Sequence, residues 1–299
     1  MSVIECVDLM KVYGRRKALN GMSFSIGENK ITGLIGRNGA GKTTLLKIIA
    51  GYLKESSGEI KVFDEHPFNN LLVSANHIFI HDQISLPASL NLKEILETAK
   101  RFYANWDKEL ANRLFNYFSF IPTQNYSSLS KGKKSTFNMI LGVSSRCSLT
   151  IFDEPTTGMD AAVRKDFYRV LLRDYIDFPR TIIVSSHHLE EIVDLLEDIL
   201  LINEGKELLH MPVAEMAEWA IGLQGKTSSI NEWTTNRETL YTKIVGDRTY
   251  IVVKNDFSEL ELQKFQASGI EMSQVALSDL CVYLTSKANG VIDDVFNKA

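Results

Sequence analysis

Between Gly36 and Thr43 the chain reads Gly-Arg-Asn-Gly-Ala-Gly-Lys-Thr, the spacing GxxxxGK[ST]. Residues of these types can hold phosphate. Glycine tolerates the backbone conformations that turn successive N–H groups inward, so they converge on anionic oxygens. A helix beginning at the end of such a turn adds its partial positive charge. The backbone from Gly36 through Asn38, Gly39, Ala40 and Gly41 is therefore a candidate phosphate cradle, continued by Thr44. Lys42 would reach the outer phosphates and the Thr43 hydroxyl would ligate Mg²⁺. The alternative is a glycine-rich turn that merely carries a lysine. The loop implies a nucleotide without specifying which phosphoryl chemistry follows.

A second candidate is Asp153-Glu154, two adjacent carboxylates at the end of the apolar run Leu149-Thr150-Ile151-Phe152. Side chains alternate along a strand, so the two need not share a task. Asp153 suits a Mg²⁺ position, through water, and Glu154 suits a water to be oriented or polarised. An exposed acidic turn at a strand end is the competing reading.

These groups need a scaffold that brings them together. Ile31 to Ile35 is a buried-strand pattern leading into the glycine loop, and Thr44 to Ala50 is helical, stopping near Gly51. Val3 to Leu9, Met22 to Ile26, Ile60 to Phe63 and His77 to Ile80 read as strands. Leu92 to Phe102 and Asp107 to Phe118 have apolar residues three and four apart, as helices do. Strands and helices then alternate: Leu149 to Phe152, Ala161 to Tyr175, Thr181 to Ser185, Leu189 to Leu196 (helical), Ile199 to Ile202. This predicts an α/β fold with a mostly parallel sheet. Asn203-Glu204-Gly205-Lys206 predicts a hairpin turn. Beyond Pro212 the pattern changes. Thr227 to Arg237 is polar and reads as a loop or linker. Tyr241 to Val245 and Thr249 to Lys254 read as a hairpin, and Ser258 to Ala267 and Leu277 to Leu284 as helices. The expected organisation is a domain over 1–211 and a small α/β accessory domain over 212–299.

The chain has 299 residues, 44% hydrophobic and 23% charged, with a formal charge of −4. This balance offers no electrostatic case for nucleic-acid binding. Its three cysteines are scattered, with no metal-ligand spacing, and suit a reducing compartment. No apolar run approaches the ~18–20 residues of a membrane span. Glu5, Asp8 and Lys11 stand where a signal peptide needs an apolar core. A cytoplasmic protein is expected, with any membrane role requiring another chain.

Taken in order, the motifs resemble the ATP-binding-cassette (ABC) family over roughly Met1 to Leu209. Tyr13 matches the aromatic residue that stacks on adenine. Gly36 to Thr44 match Walker A, and Asp153 with Glu154 match Walker B and the catalytic glutamate. Leu129-Ser130-Lys131-Gly132-Lys133 matches the signature, usually LSGGQ. Gly158-Met159-Asp160 is similar to the D-loop, and Ser185-Ser186-His187 to the switch-histidine segment. His188 is the neighbouring rival, and family register favours His187. The family usually has glutamine in the loop after Ile78 to Ile80, ligating Mg²⁺. Here Asp82 falls at that position and Gln83 one step later.

The resemblance implies a P-loop NTPase fold with an antiparallel β subdomain and a helical subdomain near 83–145. It implies an ATPase using Mg²⁺, with Glu154, His187 and Lys42 catalytic and Tyr13, Ser130, Gly132 and Asp160 contacting nucleotide. It also implies a head-to-tail pair with a second nucleotide-binding subunit, identical or not, ATP lying between Walker A of one and the signature of the other. The pair would power a membrane permease on a separate chain, from the cytoplasmic face. Phe102-Tyr103-Ala104-Asn105-Trp106-Asp107 and the appended C-terminal domain are similar to bacterial exporter-type subunits, which favours export over import. The rival function is a soluble or regulatory ABC ATPase not coupled to transport. Lys131 and Lys133, extra cations in the signature, either strengthen γ-phosphate capture or stand solvated.

Overall fold

The computed structural model of the chain describes residues 2–234 and 237–286. The chain divides between His210 and Met211 into two compact units. In the first, strands β1 (Ser2–Tyr13) and β2 (Arg16–Gly27) pair antiparallel, and β3 (Ile31–Ile35) follows, all five of its residues buried. Helix α1 (Lys42–Ile49) starts directly after the glycine loop. Strand β4 (Ser57–Val62) returns to pair with β1, giving a three-stranded antiparallel sheet of order β2-β1-β4. Helix α2 (Leu71–Asn76) leads into β5 (His77–Ile80).

Three helices come next: α3 (Leu92–Phe102), α4 (Lys108–Tyr117) and α5 (Lys131–Ser145). Their starts are written in the sequence. Asn91 and Glu94 form a reciprocal capping box on α3, and Asp107 accepts the Leu110 N–H of α4 at 2.8 Å. Strand β6 (Leu149–Asp153), helix α6 (Ala161–Asp177), and strands β7 (Thr181–Ser186), β8 (Asp198–Asn203) and β9 (Lys206–Pro212) complete this part. The second sheet has order β5-β6-β7-β3-β8-β9. Its pairs β5/β6, β6/β7, β7/β3 and β3/β8 are parallel. Glu204 (φ 48°) and Gly205 (φ 76°) make the two-residue turn into β9, both left-handed as such a hairpin requires. Leu45, Leu46, Ile48 and Ile49 of α1 share one buried cluster with Ile4 and Cys6 of β1 and with Ile151 and Ile183 of the parallel sheet. That packing fixes the start of α1 above the ends of the parallel strands.

Leu189 to Leu196 does not form the expected helix. It makes two 3₁₀ turns, Leu189–Glu191 and Val193–Leu195, broken at Ile192 (φ −121°, ψ −9°). Leu189, Ile192 and Leu195 recur every third residue and are all buried, which suits three residues per turn rather than 3.6.

The second unit holds α7 (Val213–Glu218), β10 (Ala220–Lys226), α8 (Thr227–Thr234), β11 (Thr239–Val245), β12 (Arg248–Lys254), α9 (Glu259–Ala267), β13 (Glu271–Gln274) and α10 (Leu277–Thr285). Its antiparallel sheet has order β11-β12-β10-β13. The loop expected over Thr227 to Arg237 is corrected: Thr227 to Thr234 is helical, and residues 235–236 lie outside the described residues. Ile230 is buried with Leu223, Ile251, Val253 and Phe265, and Trp233 packs on the same cluster. Two apolar residues three apart were enough once a sheet lay beneath them, despite the polar remainder.

Candidate active site

The buried strand β3 delivers the glycine loop to the C-terminal edge of the parallel sheet. Gly41 takes φ 113°, beyond the comfortable range of other residues, and its carbonyl accepts the first bond of α1 from Leu45 N–H at 2.9 Å. Lys42 is almost wholly buried. Its Nζ donates to the Gly36 carbonyl at 2.7 Å and stands 3.3 Å from Glu154 Oε1. The loop is thus closed around its own lysine, held by an acceptor that an incoming phosphate can replace.

Two neighbouring strands supply the acidic side. Asp153 is buried at the end of β6, and its carboxylate accepts from Thr43 Oγ1 at 2.7 Å and from Ser185 Oγ at 2.6 Å. Ser185 Oγ also accepts the Glu154 N–H at 2.9 Å, so one hydroxyl ties both acidic residues to β7. Glu154 leaves the strand at φ 48°, a left-handed conformation uncommon outside glycine. That turn is held by the Thr157 hydroxyl, which donates to the Glu154 carbonyl at 2.8 Å. It sends the carboxylate away from Asp153, toward Lys42 and toward His187 Nδ1 at 2.7 Å from Oε2. Adjacent carboxylates therefore face different partners, the divergence that strand alternation predicts, sharpened by the backbone turn.

Above these groups is a cleft of about 390 Å³, lined among others by Tyr13, Arg16, Arg37, Asn38, Lys42 and Glu154. Gly39, Gly41, Thr43 and Thr44 complete its phosphate side, while Gly36 and Ala40 lie buried behind it. Tyr13 is half exposed, with Lys11 Nζ 5.3 Å from its ring centroid. Arg16, Arg37 and Ser185 were not among the candidates. Arg16 follows Tyr13 across the β1–β2 turn, and Arg37 occupies a variable position of the loop pattern. Ser185 had only its place beside the histidine segment to mark it.

Several expected residues stand elsewhere. Asp82 and Gln83 are exposed and do not line this cleft; the Gln83 N–H bonds His81 Nδ1 at 3.2 Å instead. Burial and Lys47 hold the His81 imidazole below its usual range, against the opposing pull of Asp153 and Asp82. Ser130, Gly132 and Asp160 also lie outside the cleft of their own chain. Ser130 caps α5, its Oγ accepting the Lys133 N–H at 3.3 Å, and Asp160 caps α6 through the Val163 N–H at 2.9 Å. Gly132 allows α5 to meet the 154–159 loop, since a Cβ there would stand 2.4 Å from the Gly158 carbonyl oxygen. Lys133 is exposed, as the solvated reading expects, yet its ammonium has partners within the chain. Its Nζ donates to the Phe118 carbonyl at 2.6 Å and lies 4.9 Å from the Phe120 ring centroid, so it anchors α5 to the end of α4. Lys131 is exposed.

The donor set at the loop, a hydroxyl and a carboxylate already 2.7 Å apart, suits a small hard cation that takes oxygen ligands. Among the described residues no group of three or more His, Cys, Asp or Glu could hold a metal by itself. Oxygen donors that are few and pre-positioned fit Mg²⁺ brought with a phosphate ligand better than a resident metal.

A family model described as ABC transporter matches residues 19–157. The ABC transporter ATP-binding protein YtrB of Bacillus subtilis (strain 168) is 30% identical over 227 residues, 74% of this chain and 76% of its own. The bacitracin transport ATP-binding protein BcrA of Bacillus licheniformis is 30% identical, over 71% of this chain and 70% of its own. A solved dimeric ATP-binding cassette, in a post-hydrolysis state with ADP and Pi, superposes on 70% of this chain and 98% of its own with a TM-score of 0.61 and 18% identity.

Proposed function

This chain belongs to the ABC transporter family, as an ATP-binding protein, and from that premise we propose that two such subunits hydrolyse ATP head to tail to drive a separate membrane permease. The observation that carries this reading is the convergence on Glu154 of Lys42 from the glycine loop and His187 from the end of β7. No helix among the described residues is long and apolar enough to cross a membrane, and in this reading the permease is a separate chain. The catalytic domain is residues 1–211, with 212–299 as an accessory domain, working at the cytoplasmic face. Relatives named for bacitracin transport and for SkfA peptide export favour outward movement of a peptide-like compound.

In this mechanism the triphosphate displaces the Gly36 carbonyl from Lys42, and the lysine then balances charge on the outer phosphates. Tyr13 offers a ring face to adenine. Losing Lys42 frees one oxygen of Glu154 to polarise the attacking water, while His187 keeps the other oriented. Thr43 and Asp153, through water, are the residues that would hold Mg²⁺, whose charge offsets that of the phosphates. Ser130 and Gly132 of the second subunit close the site, with their helix N-terminus toward the γ-phosphate. Asp160 lines the same dimer junction, and Asp82 and Gln83 mark the loop that relays closure.

Glu154→Gln tests the proposal. It should lower ATP turnover by about 10²–10⁴-fold, the range a general base contributes. With ATP the variant should accumulate as a dimer in light scattering. Unchanged turnover, or a monomer at saturating ATP, would sink the proposal.

A further inference from the structure

The four-stranded sheet of the second unit has two unlike faces. Leu223, Ile251 and Val253 point to the side packed by Ile230 of α8 and Phe265 of α9. Strand alternation puts Gln224, Tyr250 and Lys243 on the other side, where Gln224 pairs with Tyr250 and Tyr250 with Lys243 across the strands. Tyr283 of α10 reaches this second face and stacks on Tyr241, centroids 4.4 Å apart and planes 13° from parallel. Tyr250 stands edge-on to Tyr241 at 6.4 Å. The tyrosine at 250 leans across Gly222, where a Cβ would lie 2.5 Å from its hydroxyl oxygen. Only a glycine on β10 permits that position.

These side chains border a recess of about 420 Å³, within the usual size of a small-molecule site. Two cations, Lys243 and Arg248, line it with one carboxylate, Asp279. Arg248 is paired with Glu271 at 2.9 Å, and Lys243 has no carboxylate within 4 Å among the described residues. None of the three tyrosine hydroxyls has a hydrogen-bond partner among the described residues, so each can donate to a ligand. Burial and the nearby Asp279 push the Tyr283 phenol up to about 12, which keeps it a donor at neutral pH. Flat aromatic walls, a free ammonium and an amide at Gln224 are complementary to one chemical type.

We propose that this recess binds a planar heteroaromatic anion, its ring against Tyr241, Tyr250 and Tyr283 and its acidic group at Lys243 and Arg248. Aromatic faces supply area at low entropy cost, Gln224 and Asp279 match ring carbonyl and N–H groups, and the cations select for phosphate or carboxylate. All lining residues of the recess belong to the second unit.

The test titrates the full chain, with ADP present to fill the phosphate loop, using two fluorescent probes. Flavin mononucleotide carries a phosphate and pterin-6-carboxylate a carboxylate; riboflavin is the uncharged control. Saturable quenching of at least one probe is expected, with riboflavin, Lys243→Glu and Tyr241→Ala each weakening binding by about tenfold or more, or 1.4 kcal/mol. The stronger probe identifies the acidic group. Lys243 is exposed, so its variant tests the site without disturbing the core. Absence of saturable binding by both probes would overturn the proposal, and so would riboflavin or the Lys243→Glu protein binding as well as the charged probe and wild type.

Discussion

The two units build their polar surfaces in opposite ways. In residues 2–210 the chemistry gathers where buried parallel strands end, and its groups hold one another: Thr43 and Ser185 on Asp153, Lys42 and His187 on Glu154. In the second unit Gln224, Lys243 and Tyr250 stand on one face of an antiparallel sheet, and Arg248–Glu271 is a solvent-exposed pair. Buried polar groups depend strongly on their partners, because an orphaned one retains its full desolvation cost. Exposed groups exchange a partner for water. Substitutions should therefore be severe and cooperative in the first unit, and mild and local in the second.

The sharpest contrast lies behind the site. Asp174 and Arg180 are buried and 2.8 Å apart, with Arg146 also 2.8 Å from Asp174, joining α5, α6 and the start of β7. Asp174→Ala should cost about 3–5 kcal/mol, the usual penalty for stranding one partner of a buried pair. Urea unfolding reports it, since Trp106 lies in the first unit and Trp219 and Trp233 in the second. A loss under 1 kcal/mol would erase the distinction between the units.

Next in size, Lys42→Ala should weaken ATP binding by about 2–5 kcal/mol, as truncation of a buried, hydrogen-bonded charge does. Equilibrium titration with a fluorescent ATP analogue checks this. Gly132→Ala should destabilise the first unit by about 1–3 kcal/mol, because the clashing neighbour is backbone at Gly158 and has little room to yield. An unchanged urea midpoint would mean that the α5 contact is looser than its geometry.

All six histidines lie at or before His210. Burial lowers the pKa of His77 and of His210, so the folded unit favours their neutral forms. Above about pH 6.5 both folded and unfolded states are neutral and this stability is fully present. As pH falls below that value, the unfolded chain takes up protons that the folded one resists, and stability declines until the lowered folded pKa values are passed. The Trp106 transition should thus shift to lower urea between pH 7.5 and 5.5, and less so in His77→Gln. The second unit has no histidine and should lack this contribution. The smallest effect belongs there: Arg248→Ala should change stability by about 0–1 kcal/mol, as exposed ion pairs do. A larger loss in the Trp219 and Trp233 signal would show that this face is structural.

Much of the first unit is legible in sequence because its signals are local. Asn91 and Asp107 announce helix starts, Glu204-Gly205 announces a turn, and the glycine loop needs its own spacing to place Lys42 and Thr43. Leu189 to Leu196 was misread because its three-residue recurrence is close to a helical one, and the broken backbone at Ile192 leaves no residue-type mark. What Lys133 meets was hidden for another reason. Its proximity in sequence to Ser130 says nothing of Phe118, whose carbonyl reaches it only after α4 and α5 pack.

The sequence by itself determined the phosphate loop, the paired carboxylates, the alternating α/β order and the family, since each depends on residues adjacent or regularly spaced along the chain. Tertiary structure decided what those residues meet. It turned Glu154 away from Asp153, inserted Ser185 between them, left Asp82 and Gln83 outside the cleft, and gathered three tyrosines from two strands and a helix. Such meetings join residues as far apart as Thr43 and Asp153, and no local pattern encodes them. They follow from burying apolar faces together, which fixes the backbone first and sets the polar partners by where it then passes.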